Sequence, residues 1–357
     1  MKRNLKKWLV IGPTALFILA FLFTCVGLVS AQSSPQKPME LSISSWIGTR
    51  DLQPEAPTWE EMAKDLEAAT KGRVKVKIYY AETLGKAKEH YELALKGIAD
   101  MAYLNVSFTP GRFPVTDLVS FSYAPSAEAM TRGLLELMKK GYLNKEYEKV
   151  KLLHVFNGAP CSFIWRKGVK AANSLSELRG RKIRVPGPAA ADLMKALGVN
   201  PIAMPMPEVY TSLERGVIEG VFTSINTLDV FNLKHVCEEI TEVNLLTFGF
   251  NLIMNKDTWE KLPKEAKDVL ERNTEKYVLM AGQAHDRVDK VAIERNKPKF
   301  YKFPPAELAK IRDNMAPIVK AYIEKYEASG FPMKKAAKEY HQFMKEKFGV
   351  EPFKLDF

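Results

Sequence analysis

Residues 41–46 alternate Leu41, Ile43 and Ser45 against Ser42, Ser44 and Trp46, the period-two pattern of a strand. Thr58 followed by Glu61 reads as a capping box that opens a helix. That helix puts Trp59, Met62, Ala63, Leu66 and Ala69 on one face and stops at Gly72. Residues 74–80 alternate Val74, Val76, Ile78 and Tyr80 with Lys75 and Lys77, a second strand. After a turn at Gly85 comes a helix bearing Tyr91, Ala94 and Leu95 and closed by Gly97, and 98–104 form the next strand. Short crossovers in a β-α-β-α-β order imply a parallel, doubly wound sheet.

The order recurs downstream, with strands at 181–185, 201–204 and 217–222 and helices at 189–197 and 208–215. The two units end alike. In each, a glycine (Gly97, Gly216) stops the helix, an acid (Asp100, Glu219) follows three residues on, and a strand begins. Open α/β sheets bind ligands at the carboxyl ends of their strands, so two such sheets predict a site in the cleft between them. A helical pattern then runs over 263–296, roughly 50 Å at ~1.5 Å per residue, long enough to span both units. Residues 304–329 and 333–348 read as closing helices. The lysines Lys334, Lys335, Lys338, Lys345 and Lys347 are read as a solvated face, with a membrane-docking surface as the lesser alternative.

Composition narrows the class. With 46% hydrophobic and 27% charged residues, the chain is too apolar for disorder and too charged for a polytopic membrane protein. At 357 residues it exceeds one core, which stops growing near ~250–300 residues. Lys2, Arg3, Lys6 and Lys7 precede an apolar run over 8–29, and Val29-Ser30-Ala31 ends it with small residues. This is the layout of an export signal cleaved near Gln32. An uncleaved anchor and a lipid-attachment box at Leu22-Phe23-Thr24-Cys25 are the competing readings; Thr24 and the apolar continuation speak against the second. The net charge of +11 is partly the leader's. The remainder is dispersed, which suits an anionic ligand or membrane surface rather than nucleic acid.

Familiar catalytic patterns are missing. There is no Walker loop, dinucleotide fingerprint or Gly-x-Ser-x-Gly elbow. The five histidines are scattered, without metal-ligand spacing, so no cofactor or metal is expected and an enzyme is disfavoured. Cys161 and Cys237 read as small apolar fillers, a disulfide between them being the alternative.

One segment carries chemistry. Lys182-Ile183-Arg184-Val185-Pro186-Gly187-Pro188 places Arg184 near a strand's carboxyl end, on the face opposite Ile183 and Val185. Such an arginine is commonly a surface charge. Beside a cleft, its planar fork can instead grip a carboxylate in two parallel hydrogen bonds, with the following helix N-terminus nearby.

Here the sequence resembles the DctP-type solute-binding proteins of TRAP transporters. The likeness rests on Gly180, Lys182-Ile183-Arg184-Val185-Pro186, Ala196-Leu197-Gly198, Asn200-Pro201, Pro205, Glu208-Val209-Tyr210, Leu213 and Gly216-Val217-Ile218-Glu219-Gly220. Gly72-Arg73-Val74, Leu84-Gly85, Gly97, Asp100-Met101-Ala102 and Pro110-Gly111-Arg112-Phe113-Pro114 match the first half, and Phe250 to Trp259 with Leu262-Pro263 the later part. The resemblance implies an α/β, two-lobe periplasmic-binding-protein-like fold with a ligand cleft between the lobes and a long helix spanning both. The division it suggests is a signal peptide at 1–31, lobe I at 32–160 plus 248–288, lobe II at 161–247 plus 289–325, and a C-terminal helix at 326–357 packed on the lobes.

The resemblance further implies a periplasmic, monomeric, non-enzymatic protein that captures an organic acid and hands it to the small and large membrane subunits of a TRAP transporter. Arg184 corresponds to the arginine that clamps the ligand carboxylate in this family. A second cleft arginine, carried by sialic-acid binders about twenty residues earlier, is absent from Cys161-Ser162-Phe163-Ile164-Trp165, and Thr223 stands where those members place an asparagine. The remaining candidate cleft residues are Trp46, Asn105, Phe163, Trp165, Phe222, Thr223, Asn226 and Phe250. Together they point to a flat or apolar monocarboxylate stacked on aromatics. A sensing or scavenging protein without a transporter, or a secreted hydrolase on the same scaffold, are the rival functions.

Overall fold

The computed structural model describes residues 37–352, other than Ala124; the expected export signal at 1–31 lies outside the described residues. The first half runs β1 (Met39–Ser44), α1 (Ala56–Ala69), β2 (Val74–Tyr79), α2 (His90–Leu95) and β3 (Met101–Asn105). Strand β1 pairs in parallel with β2 (Leu41 beside Val76) and with β3 (Ile43 beside Met101). The second half repeats this with β6 (Lys182–Val185), α6 (Pro188–Ala196), β7 (Asn200–Ala203), α7 (Val209–Glu214) and β8 (Gly220–Thr223). Strand β6 is parallel to both β7 and β8.

Between the halves lie α3 (Pro114–Ser120), α4 (Ala127–Lys139), β4 (Lys151–Asn157), β5 (Cys161–Arg166) and α5 (Leu175–Leu178). After them come α8 (Thr227–Val230), β9 (Cys237–Leu245), β10 (Gly249–Met254), α9 (Lys256–Lys261), α10 (Lys264–Arg272), α11 (Thr274–Asn296), β11 (Lys299–Lys302), α12 (Pro305–Ala328) and α13 (Met333–Phe348). The strands form two sheets, β2-β1-β3-β10-β4 and β11-β9-β5-β8-β6-β7. In each, one antiparallel strand comes from the other part of the chain: β10 beside β3 and β5 beside β8. The chain crosses between sheets at 158–160, after β4, and again at 246–248, before β10.

The similar unit endings are one structure built twice. Gly97 and Gly216 both adopt positive φ, 67° and 70°. Their amides bond Ala94 O and Leu213 O, and the next amides, of Ile98 and Val217, bond Leu93 O and Ser212 O. This is a Schellman cap in both places. It keeps Ile98 and Val217 outside the sheets, 59% and 48% exposed, so both strands begin about three residues later than the pattern predicts. The acids repeat as well: Asp100 Oδ2 accepts from Ser42 N of β1 at 2.9 Å, and Glu219 Oε2 from Lys182 N of β6 at 2.9 Å.

Two helix predictions need correction. Helix α1 starts at Ala56 with Glu55 as N-cap, so Thr58 and Glu61 are not its capping box. Pro57 favours that earlier start, Thr58 is buried in the first turn, and Glu61 instead accepts from Lys276 Nζ at 2.7 Å. The pattern over 263–296 is two helices, because Asn273 leaves helical geometry (φ −95°, ψ 4°). Its Nδ2 there donates to Asp65 Oδ2 at 2.9 Å. The remaining helix, α11, holds 23 residues, about 34 Å. Asp286 accepts from the first amides of α4, while Asp289 and Arg295 hold Asn226 N and Asp229 beside α8, so α11 ties together elements that flank different sheets.

On α13, Ala336, Ala337, Tyr340 and Met344 are buried and all five lysines lie on the exposed side. Tyr340 Oη lies 3.0 Å from Ser122 Oγ, which docks the helix beside α3 and α4. Cys161 and Cys237 are buried and unbonded. No helix among the described residues is long and apolar enough to cross a membrane.

Candidate functional site

A small cavity, about 50 Å³, opens where the carboxyl ends of β1 and β3 face those of β6 and β8. Strand polarity explains the location, since both parallel units end their strands here. One wall comes from Trp46, just past β1, Tyr103 and Asn105 of β3, and Phe250 of β10. The register sets Phe250 opposite Asn105. The other wall carries Arg184, Thr223, Asn226 and Phe231. The crossing segments supply Gly158, Thr247 and Phe248, and α11 supplies His285.

The chain approaches itself closely at the rim. A side chain on Gly187 would lie 2.4 Å from Ser107 O, so the Pro-Gly-Pro turn after β6 needs glycine for space rather than for an unusual φ. Nearby, Phe231, Trp46, Tyr103, Phe250 and His285 form a near-parallel series. Successive ring centroids are 6.1, 5.6, 5.6 and 5.3 Å apart and interplanar angles stay within 16°. These are offset-stacked distances, favourable for the rings and for a flat ligand edge.

Arg184 is 2% exposed. Its Nε donates to Met204 O at 2.8 Å, which fixes the guanidinium plane. The two terminal amino groups make no hydrogen bond or ion pair with any described residue. Burial pulls the guanidinium down to about 9, partly countered by Cys161 and Glu208, so it stays charged at neutral pH. A buried cation without a counter-ion costs several kcal/mol, roughly, unless an anion meets it. The N–H fork is the geometry that a carboxylate fills with two parallel bonds.

Other polar groups face the same space. Asn105 Oδ1 accepts from Ser107 N at 3.0 Å, and Asn226 Oδ1 from Ser224 Oγ at 2.7 Å. Trp46 Nε1 is buried without an acceptor among the described residues. Behind the rings, Glu55 is fully buried. It accepts from Tyr103 Oη at 3.0 Å, from Gln53 Nε2, and from His285 Nε2 at 2.5 Å. Asp289, partly buried, accepts from Asn226 N at 2.6 Å, and burial raises it to about 7.

The cavity thus brings together six of the nine residues singled out in the sequence: Arg184, Trp46, Asn105, Thr223, Asn226 and Phe250. Phe163, Trp165 and Phe222 are corrections. Phe163 pairs with Phe222, and Ile164 with Val221, which in turn sits beside Arg184. With a side-chain period of two, the three aromatics share the face of Ile183 and Val185, opposite Arg184. They are buried in the core there, and Trp165 Nε1 donates to Thr241 Oγ1 at 2.9 Å. Sequence reasoning missed Tyr103, His285, Glu55 and Phe231. Alternation from Asn105 points to Tyr103; nothing local marks the other three.

Residues 48–325 match the family described as bacterial extracellular solute-binding protein, family 7 (DctP). The C4-dicarboxylate-binding periplasmic protein DctP of Rhodobacter capsulatus is 24% identical over 341 residues, 90% of this chain and 98% of that protein. Among solved structures, a TRAP periplasmic solute-binding protein from Bordetella bronchiseptica with bound (R)- and (S)-mandelate is 25% identical, with a TM-score of 0.78. A marine-metagenome TRAP solute-binding protein specific for aromatic acid ligands, in complex with 3-hydroxybenzoate, is also 25% identical, with a TM-score of 0.79. Each alignment covers 87% of this chain and 99% of the other.

Proposed function

Because the chain belongs to the DctP family of bacterial extracellular solute-binding proteins, we propose that it captures an aromatic monocarboxylate and delivers it to the membrane subunits of a TRAP transporter. The observation that carries this is Arg184: a buried, unpaired guanidinium whose free amino groups face a cavity walled by stacked rings. It is the only lysine or arginine lining that cavity among the described residues, which favours one carboxylate over two. The two aromatic-acid-bound relatives support the same ligand class.

Binding works by population shift. Lobe I (to 160, plus 248–288) and lobe II (161–247, plus 289–325) separate to admit the acid. They close when the carboxylate reaches Arg184 and the ring reaches Trp46 and Tyr103. The Trp46–Phe231 contact and the approach of Gly187 to Ser107 belong to the closed form, which the membrane subunits read. The protein acts as a monomer outside the cytoplasm and performs no chemistry on its cargo.

The test is calorimetric titration of refolded, ligand-free protein with benzoate, phenylacetate, mandelate, succinate and glucuronate. At least one aromatic monocarboxylate should bind at micromolar affinity or tighter and lose about 10³-fold in Arg184→Ala. A dicarboxylate or sugar acid that outcompetes every aromatic acid would overturn the ligand class. Undiminished binding in Arg184→Ala would overturn the clamp.

A further inference from the structure

His285 has one ring nitrogen committed and one free. Its Nε2 lies 2.5 Å from Glu55 Oε1, an oxygen that also takes a bond from Tyr103 Oη. A carboxylate only accepts, so Nε2 carries the proton there. Nδ1 is buried with no partner among the described residues, on a residue only 4% exposed that lines the ligand cavity. An unpaired polar atom in such a place costs free energy unless something pairs with it.

Gly158, another lining residue, stands beside Nδ1. A Cβ on Gly158 would lie 3.7 Å from Nδ1 and 2.9 Å from Phe250 Cε2. Gly158 does not adopt positive φ, so its missing side chain is a matter of room. The His285 ring is itself held by the 10° stack on Phe250, which aligns its edge with the plane of an aromatic ligand lying along that series.

We infer that His285 Nδ1 recognises a hydroxyl group on the ligand, making the preferred cargo a hydroxy-substituted aromatic acid rather than a bare one. A hydroxyl both donates and accepts, so it pairs with Nδ1 whether His285 is neutral or protonated. A carbonyl or second carboxylate could pair only with the protonated ring. Glu55, by holding Nε2, is the positioning residue that orients Nδ1. This inference rests on the aromatic-monocarboxylate reading and adds the second point of recognition to it.

The experiment compares benzoate and phenylacetate with their 2-, 3- and 4-hydroxy derivatives, by titration calorimetry on wild type, His285→Phe and Gly158→Ala. The wild type should bind at least one hydroxy isomer about tenfold or more tighter than its parent acid. In His285→Phe, which keeps a stacking ring, the gap should shrink to within about twofold. Gly158→Ala, whose methyl would stand 3.7 Å from Nδ1 and press on Phe250 while leaving the Nε2–Glu55 bond in place, should erase the gap too and guards against a folding defect in the first variant. Parent acids that bind as tightly as every isomer, or a gap unchanged in both variants, would overturn the His285 assignment while leaving the aromatic-acid reading intact. Failure of all aromatic acids to bind would overturn both.

Discussion

Two ionisable groups are buried to the same degree in this protein and solve that burial in opposite ways. Glu146, 3% exposed, sits under the first sheet. Its oxygens accept from Val115 N, from Thr116 N at 3.2 Å and from Thr116 Oγ1 at 2.7 Å, at the start of α3. Tyr147 and Asn251 extend the network onto β10. Burial pushes the carboxyl up to about 8 despite those bonds, so near neutral pH it escapes the cost by keeping its proton. Arg184, 2% exposed, has no such exit, because a guanidinium does not release its proton under ordinary conditions. A buried acid wrapped in donors is a structural device. A buried arginine with a free fork is a place where an anion arrives.

The sharpest way to break that comparison is a pair of substitutions. Arg184→Met should lower affinity for the carboxylate by about 10³-fold or more, yet raise ligand-free stability by about 1–3 kcal/mol, because the unpaired charge is gone. Glu146→Ala should do the reverse. It should cost about 3 kcal/mol or more by stranding the Val115 and Thr116 amides beside a new cavity, and leave the affinity of the folded protein within twofold. Urea unfolding with calorimetric titration reads both quantities. If Arg184→Met destabilises the ligand-free protein, the bond from Nε to Met204 O outweighs the cost of the buried charge and the distinction collapses.

How far the sequence carried this picture follows from what is local. The Schellman glycines, the acids at Asp100 and Glu219, and the strand alternation around Arg184 are short-range features, and each is visible in a few residues. Apart from the late strand starts that the caps at Gly97 and Gly216 impose, the failures are long-range. Phe163, Trp165 and Phe222 were expected in the cleft because they lie near its strands, but a cross-strand register decides which face each residue takes, and no single strand encodes it. The capping box at Thr58 and Glu61 failed for a similar reason. Glu55 is bound to Tyr103 and His285, 48 and 230 residues away, and that network fixes the start of α1. Asn273 broke a uniform helical pattern through a bond to Asp65, 208 residues distant.

The two tryptophans on either side of this error sharpen the contrast between site and core at a smaller scale. Trp46 lines the cavity between Tyr103 and Phe231. Trp46→Ala should weaken binding of an aromatic acid by about 10- to 100-fold, or 1–3 kcal/mol, with a smaller effect on an aliphatic acid of equal charge. Trp165 lies on the far face of its sheet. Trp165→Phe should cost about 1–2 kcal/mol of stability through the lost bond to Thr241 and leave affinity unchanged. Titration with an aromatic and an aliphatic acid separates the two; a ligand effect at Trp165 equal to that at Trp46 would mean the faces are misassigned.

A last test bears on the acid side of the comparison alone. An acid whose folded-state value is raised keeps its proton in the folded chain after the unfolded chain has released it. Folding then takes up a proton, and stability falls as pH rises. For Glu146 the window runs from its ordinary 4.5 to about 8; Asp117, raised to about 7 by burial, and Asp289, also near 7, add slopes of the same sign. Glu146→Gln imitates the protonated acid: its carbonyl can accept from the Val115 and Thr116 amides and its NH2 can donate to Thr116 Oγ1. It should therefore flatten the decline of unfolding free energy between pH 5 and 8 by at most about 1.4 kcal/mol per pH unit. Arg184 does not contribute there, since its lowered value of about 9 places its own titration above the window. A variant with the wild-type slope would mean that Glu146 is ionised in the folded protein and held by the α3 amides as an anion. Arg184 would then differ from it in lacking a partner, not in being unable to shed its charge.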